Sequence, residues 1–253
     1  MVLDRFKLDG KTAIVTGASA GLGEGMAKAL AEAGADVVCV ARRQSKGAVD
    51  YITSIGRKAI SIQADLVSQK PIPEIIETAV KEFGHVDILV NNAGITRRDD
   101  AIDFTEKDWD DVININLKSL FFLSQAFAKQ IIKQGTGGKI INTASMLSYQ
   151  GGVRVPSYTA SKSGVLGLTK LLANEFAKYG INVNAVAPGY MDTDIISGLC
   201  SDPVRSEEKL KNIPLGRFGT PEDVAGAVVF LASEAASYVQ GFTVAVDGGW
   251  LAR

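Results

Sequence analysis

In 253 residues the sequence has one histidine, His85, and two cysteines, Cys39 and Cys200. A Ser/His/Asp triad or a histidine-rich metal centre therefore has almost no material, and no metal site is expected. His85 stands in a Gly84-His85-Val86-Asp87 turn between a helical pattern and a strand, which marks it as structural. Cys39 falls in an apolar run and Cys200 in a polar stretch, so the two read as plain thiols, neither disulfide framework nor metal ligands. A basic run is also missing. Lys and Arg number 27 against 28 Asp and Glu, leaving a net charge of -1 with no footprint for nucleic acid. Nor does the chain start on an apolar stretch: Met1 to Gly10 carries Asp4, Arg5, Lys7 and Asp9, which excludes a signal peptide or membrane span there and points to a cytoplasmic protein.

What is present is ordinary for one α/β domain with a filled core: 46% hydrophobic and 22% charged residues over 1–253. Short β-branched runs alternate with longer helical patterns, the sequence form of repeated βαβ units. Strands are expected at Thr12–Thr16, Asp36–Ala41, Lys58–Gln63, Asp87–Val90, Gly138–Thr143, Ile181–Ala187 and Thr243–Val246. Several are continuously apolar, as strands covered by helices on both faces should be. Helices are expected at Gly21–Ala33, Ser45–Ile55, Pro71–Phe83, Glu106–Gln134, Ser157–Tyr179 and Pro221–Ala232, with Thr105 and Thr220 as N-caps. The polar stretch Asp192–Leu215, with Pro203 and Pro214, lacks core periodicity and reads as a lid over a site.

Directly after the first strand comes Thr16-Gly17-Ala18-Ser19-Ala20-Gly21-Leu22-Gly23, and a helical pattern follows at once. Strand, glycine loop and helix make a phosphate cradle: glycine lets the backbone approach a pyrophosphate, and the helix N-terminus stabilises the anion. The fourth strand closes on Asn91-Asn92-Ala93-Gly94, small residues and amides at a strand's carboxyl end. Asp65, just past strand three, is placed either to accept from an adenine amino group or to cap a turn. The second strand ends Val40-Ala41-Arg42-Arg43 with no carboxylate for ribose hydroxyls, and two guanidinium groups there suit a 2'-phosphate, which favours NADP.

Tyr158 and Lys162 are four apart at the start of a helical pattern, so they share one face. Bringing a phenol from about 10 to near 7 takes about 4 kcal/mol, and a cation at roughly 4 Å with an effective dielectric of about 20 supplies that order of energy. Lys162 is therefore expected to acidify Tyr158. Ser145, just past the fifth strand, can bond a substrate oxygen, and Asn116, flanked by Ile113, Ile115 and Leu117, is placed as a buried amide that can hold a water linking Lys162 to solvent.

Together these segments, with Pro188-Gly189 and Thr193, resemble the classical short-chain dehydrogenase/reductases over essentially the whole chain. The resemblance implies a doubly wound (Rossmann-type) seven-stranded parallel sheet flanked by helices, in the order 3-2-1-4-5-6-7. It implies Tyr158 as general acid/base, Lys162 as its partner and holder of the nicotinamide ribose, Ser145 positioning the substrate oxygen, and Asn116 supporting a proton relay. Cofactor contacts follow for Gly17, Ser19, Gly21, Leu22, Gly23, Arg42, Arg43, Asp65, Leu66, Asn92, Ala93, Gly94, Pro188, Gly189, Met191 and Thr193. It suggests NAD where Arg42 and Arg43 favour NADP, so NAD(P) stays open. A homotetramer built on the two long helices and the last strand is implied as well.

Within the family, Gly94–Arg98, Glu106–Asp111, Ala144–Ser148, Gln150–Tyr158 and Val246–Arg253 resemble a sugar-acid dehydrogenase branch. Arg154 is then expected to clamp a carboxylate, with Arg97 or Arg98, Gln150, Tyr190 and Ser145 on the substrate side. A 3-oxoacyl-type reductase is the alternative; its acidic partner calls for a basic patch, and Arg205, Lys209 and Lys211 are offset by Asp202, Glu207 and Glu208. A dinucleotide-sensing protein without catalysis is the more distant one, disfavoured by the intact Tyr158 and Lys162.

Overall fold

Seven strands, β1 Thr12–Thr16, β2 Asp36–Ala41, β3 Ala59–Gln63, β4 Ile88–Asn91, β5 Gly138–Thr143, β6 Ile181–Pro188 and β7 Thr243–Val246, form one sheet in the order β3-β2-β1-β4-β5-β6-β7. Every pairing is parallel, with β1 flanked by β2 and β4. The order reverses at β1, so the carboxyl ends of β1 and β4 diverge into a crevice. These positions belong to a computed structural model describing residues 1–193 and 203–253, with side chains of the last segment described from Ser206 onward. Cys200 and much of the expected lid lie outside the described residues.

Helices α1 Gly21–Glu32, α2 Lys46–Ser54, α3 Ile72–Phe83, α4 Glu106–Ile113, α5 Ser119–Gln134, α6 Pro156–Phe176, α7 Pro203–Leu210 and α8 Pro221–Ala232 cover the sheet. Alternation along β1 divides the core. Ala13 and Val15 pack with Met26 and Leu30 of α1 and Val224 and Val228 of α8, while Ile14 packs with Ile75 of α3 and Leu123, Phe127 and Ile131 of α5. Two-sided burial is why the strands read as unbroken apolar runs. The Thr105 hydroxyl caps α4 by accepting from the Asp108 amide at 3.1 Å, and at α8 the Thr220 amide donates to Asp223 Oδ2 at 2.7 Å.

Three expectations need correction. The helix expected over Glu106–Gln134 is interrupted by a wider π-type turn, Asn114–Lys118, in which the Ser119 amide reaches back to the Asn114 carbonyl. The helix expected over Ser157–Tyr179 starts at Pro156, ends at Phe176 and tightens into a 3₁₀ turn, Ala177–Tyr179, before Gly180. Inside the lid segment the chain forms α7, whose eight residues are short enough for a helical period to be lost among polar positions.

Candidate active site

The carboxyl ends of the strands open on a cleft of about 750 Å³. Gly17, Ser19, Gly21, Leu22 and Gly23 line its floor; Arg42, Arg43, Asp65 and Leu66 line the end beside β2 and β3; Asn92, Ala93, Gly94, Thr193, Tyr158 and Lys162 line the opposite end. The floor has no room for side chains. Gly17 has φ +71°, and a Cβ there would sit 2.9 Å from Asn92 Nδ2; a Cβ on Gly23 would sit 2.2 Å from the Gly17 carbonyl oxygen. Gly17 and Gly23 thus let the loop before α1 pack directly on the Asn92–Ala93 segment, beside the helix N-terminus, a position suited to an anion.

Thr16 fixes the two sides of the crevice to each other. Its hydroxyl accepts from the Asn92 and Ala93 amides at 2.9 and 3.0 Å, while Asn92 Nδ2 donates to the Thr16 carbonyl at 3.0 Å. Asn91 is buried below, donating to Ser124 Oγ and Asn142 Oδ1. Asp65 Oδ1 accepts from the Val67 amide at 3.0 Å, so it serves a turn while also lining the cleft. Arg42 and Arg43 are exposed, and neither forms an ion pair among the described residues. Pro188, Gly189 and Met191 do not line the cleft. Pro188 pairs with Val246, a Cβ on Gly189 would lie 2.7 Å from Asp247 Cα, and Met191 is buried in the core on the α1 face.

Tyr158 and Lys162 lie on the first turns of α6, which Pro156 starts. Ser145 caps the short turn after β5, accepting from the Leu147 amide at 3.2 Å, and its hydroxyl stands near enough to the Tyr158 phenol to favour the ionised form. Ser148 ties this turn to α6 by donating to the Lys162 carbonyl at 2.7 Å. Lys162 is buried, donates to the Thr143 carbonyl at 2.6 Å, and its Nζ lies 5.7 Å from the Tyr158 ring centre.

The electrostatics correct one expectation. Dense protein around the phenol pushes the Tyr158 pKa up, although the ring is partly open to the cleft, and only the nearby Ser145 hydroxyl pulls it down. Lys162 is itself pushed down to about 8 by burial. Desolvation thus outweighs the lysine's attraction, because the ammonium points to the Thr143 carbonyl rather than to the phenol oxygen.

Asn116 sits within the π-type turn and is buried. Its Nδ2 donates to the Ile95 carbonyl at 2.9 Å and to Ser161 Oγ at 3.2 Å, while Oδ1 accepts from the Ile95 amide at 2.9 Å. Both amide hydrogens are therefore engaged by protein, and the side chain clamps the strand-four loop beside α6. Sequence reasoning missed Ser161 and Ser148, whose partners are set by packing; a hydroxyl one turn from Tyr158 was the available signal.

Of the substrate-side residues, only Ser145 stands by the phenol. Arg97 pairs with Asp108 at 3.2 Å and Asp111 at 3.5 Å on α4, and Arg154 pairs with Asp99 at 3.5 Å and Asp100 at 3.0 Å. Arg98 forms no ion pair among the described residues. Gln150 and Tyr190 are joined through Trp250, a residue not singled out beforehand: its indole donates to Gln150 Oε1 at 2.8 Å, and its ring meets Tyr190 edge-on at 5.1 Å. His85 lies at the other end of the strands, Nε2 3.0 Å from the Gly10 carbonyl and 3.2 Å from Asp87. Among the described residues no group of three or more His, Cys, Asp or Glu is placed to hold a metal, and no helix is long and apolar enough to cross a membrane.

A family model described as enoyl-(acyl carrier protein) reductase matches residues 17–251. Over 253 residues the chain is 59% identical to the 2-dehydro-3-deoxy-D-gluconate 5-dehydrogenase of Escherichia coli, with 100% of each chain covered. The Bacillus subtilis protein of that name is 49% identical over 254 residues, covering 99% of this chain and 98% of its own. A solved gluconate 5-dehydrogenase from Burkholderia cenocepacia, in complex with NADP and tartrate, has a TM-score of 0.94 at 36% identity and covers 100% of both chains.

Proposed function

The chain belongs to the short-chain dehydrogenase/reductase family and is an NAD(P)-dependent oxidoreductase, and from that premise we propose that it interconverts a secondary alcohol and a ketone on a sugar acid of the 2-dehydro-3-deoxy-D-gluconate or 2-deoxy-D-gluconate type. The observation that carries the reading is Tyr158 and the buried Lys162 lining one glycine-floored cleft, with the ammonium 5.7 Å from the phenol ring. Full-length identity of 59% to a sugar-acid dehydrogenase supports the substrate class.

The dinucleotide, when bound, supplies or removes the hydride. Gly17, Gly21 and Gly23 would hold its pyrophosphate, Arg42 and Arg43 the adenosine ribose, and Asn92 to Gly94 with Lys162 and Thr193 the other end. Tyr158 gives its proton to the substrate oxygen as a ketone is reduced, and takes it back as an alcohol is oxidised. Burial keeps the phenol protonated at neutral pH, ready for reduction. Oxidation needs phenolate, and Lys162, mostly cationic below its pKa of about 8, is the nearest compensating charge. Ser145 orients the substrate oxygen, and Asn116 positions the Ile95 segment of the wall.

Two exposed guanidinium groups at the end of β2 support acceptance of NADP(H). A cytoplasmic homotetramer completes the reading, since α5 and α6 leave Phe122, Ile132 and Leu171 exposed and Tyr238 and Phe242 are exposed just before β7. The test is steady-state turnover of 2-dehydro-3-deoxy-D-gluconate with each dinucleotide, in the wild type and Tyr158→Phe. The variant is expected to lose at least about 100-fold in kcat while its dinucleotide affinity stays unchanged. Undiminished turnover in the variant refutes the catalytic assignment, and turnover with NAD(H) but none with NADP(H) refutes the cofactor reading.

A further inference from the structure

We propose that Arg154 is a carboxylate-exchange gate: two of the chain's own aspartates hold its guanidinium until the carboxylate of the substrate displaces them. The proposal rests on the sugar-acid reading above and adds the residue and contact by which charge on the substrate is selected.

Arg154 lies between the Ser145 turn and α6, four residues before Tyr158. It is the one non-glycine residue with positive φ among the described residues, at +62°. An L side chain rarely adopts that conformation, so the fold holds this arginine against backbone preference. Its carbonyl accepts from the Asp99 amide at 3.2 Å, and its guanidinium reaches Asp99 Oδ1 at 3.5 Å and Asp100 Oδ1 at 3.0 Å. The strap thus joins the segment leading into α6 with the loop whose first residues, Ile95 and Thr96, line the cleft.

The strength of the pairing argues for exchange over a fixed brace. The side chains of Arg154, Asp99 and Asp100 are 55%, 51% and 61% exposed, and ion pairs so open to water contribute little. A two-point, charge-assisted contact with a substrate carboxylate is stronger. Arg97 is the contrast: its partner Asp108 also accepts from Thr105, and Asp111 also accepts from Lys107, so those carboxylates belong to the capping of α4. A neutral polyol makes no ion pair with the guanidinium, so it gains nothing from Arg154 and does not compete with Asp99 and Asp100; only the charged substrate feels the exchange.

The test compares KM for 2-dehydro-3-deoxy-D-gluconate and for its uncharged methyl ester in the wild type, in an Asp99→Asn/Asp100→Asn double variant, and in Arg154→Ala. Removing the competing carboxylates is expected to lower KM for the acid about threefold. Removing the guanidinium is expected to raise it at least tenfold. KM for the ester, KM for the dinucleotide and the melting temperature should stay near wild type, which separates the gate from misfolding. A KM for the acid that rises or stays level in the double variant overturns the gate, because a brace predicts that sign; equal shifts for acid and ester overturn it too. Wild-type protein that turns over the ester but not the acid would overturn the substrate reading itself.

Discussion

The floor of the cleft and the exposed ion pairs beyond it are built on different physics. On the floor, backbone meets backbone: Gly17 and Gly23 leave no volume for a methyl group, and Thr16 pins β1 to the loop after β4 with part-buried hydrogen bonds. Away from it, charged side chains meet in direct ion pairs open to solvent, as in the Arg154 and Arg97 pairs. A contact that excludes solvent has a steep energy well and one geometry, while a screened pair has a shallow one and several partners. Rigidity therefore belongs to the glycine floor, and adaptability to the exposed ion pairs.

The comparison breaks most visibly if the floor tolerates a methyl group. Gly23→Ala would place a carbon 2.2 Å from the Gly17 carbonyl oxygen and 2.5 Å from Asn92 Nδ2. The expected cost is about 3 kcal/mol or more of stability, together with loss of dinucleotide binding, checked by denaturant unfolding and fluorescence titration. Near-native affinity would show that the floor yields as the exposed pairs do.

Lys162 sharpens the comparison from inside. Its pKa of about 8, against 10.5 in an unfolded chain, means that the fold gives up on the order of 3 kcal/mol to bury a mostly charged ammonium near pH 7. The unfolded chain binds more protons between those values, so this penalty is full below about pH 8 and fades as pH rises towards 10.5. Lys162→Met should therefore be more stable than wild type near neutrality by about 2 kcal/mol, after allowing about 1 kcal/mol for the lost Thr143 hydrogen bond. Unfolding curves near pH 7 and pH 10 would show most of the advantage disappearing; an advantage that stays constant with pH would mean the ammonium is not desolvated.

The smallest effect belongs to the exposed pairs. Arg97→Ala should change stability by less than about 1 kcal/mol, and the change should shrink in high salt. A larger loss in calorimetry would place the α4 pairs with the floor.

This difference also explains what was legible in the sequence. The glycine loop, the Asn91–Gly94 segment and the Tyr158–Lys162 spacing act through backbone geometry and fixed helical offsets, which sequence distance reports directly. The break at Asn114–Lys118 is not written in any local propensity, because it exists to let Asn116 reach the Ile95 backbone across the chain. The partners of Arg97 and Arg154 were hidden for the same reason: nothing near Arg154 in sequence marks Asp99 and Asp100 as its neighbours in space. The acidity of Tyr158 had the wrong sign because helical spacing gives the distance between two side chains but not where the ammonium points or how much water remains around it.

The Thr16 hydroxyl has a consequence for redesign. It anchors the Asn92 and Ala93 amides from within the sheet, so the shape of the crevice does not depend on Arg42 or Arg43, which stand at its open end. On the proposed reading, selectivity between the two nicotinamide coenzymes would be a detachable module: an engineer could rewrite the tip of β2 while the crevice that Thr16 braces stays as it is.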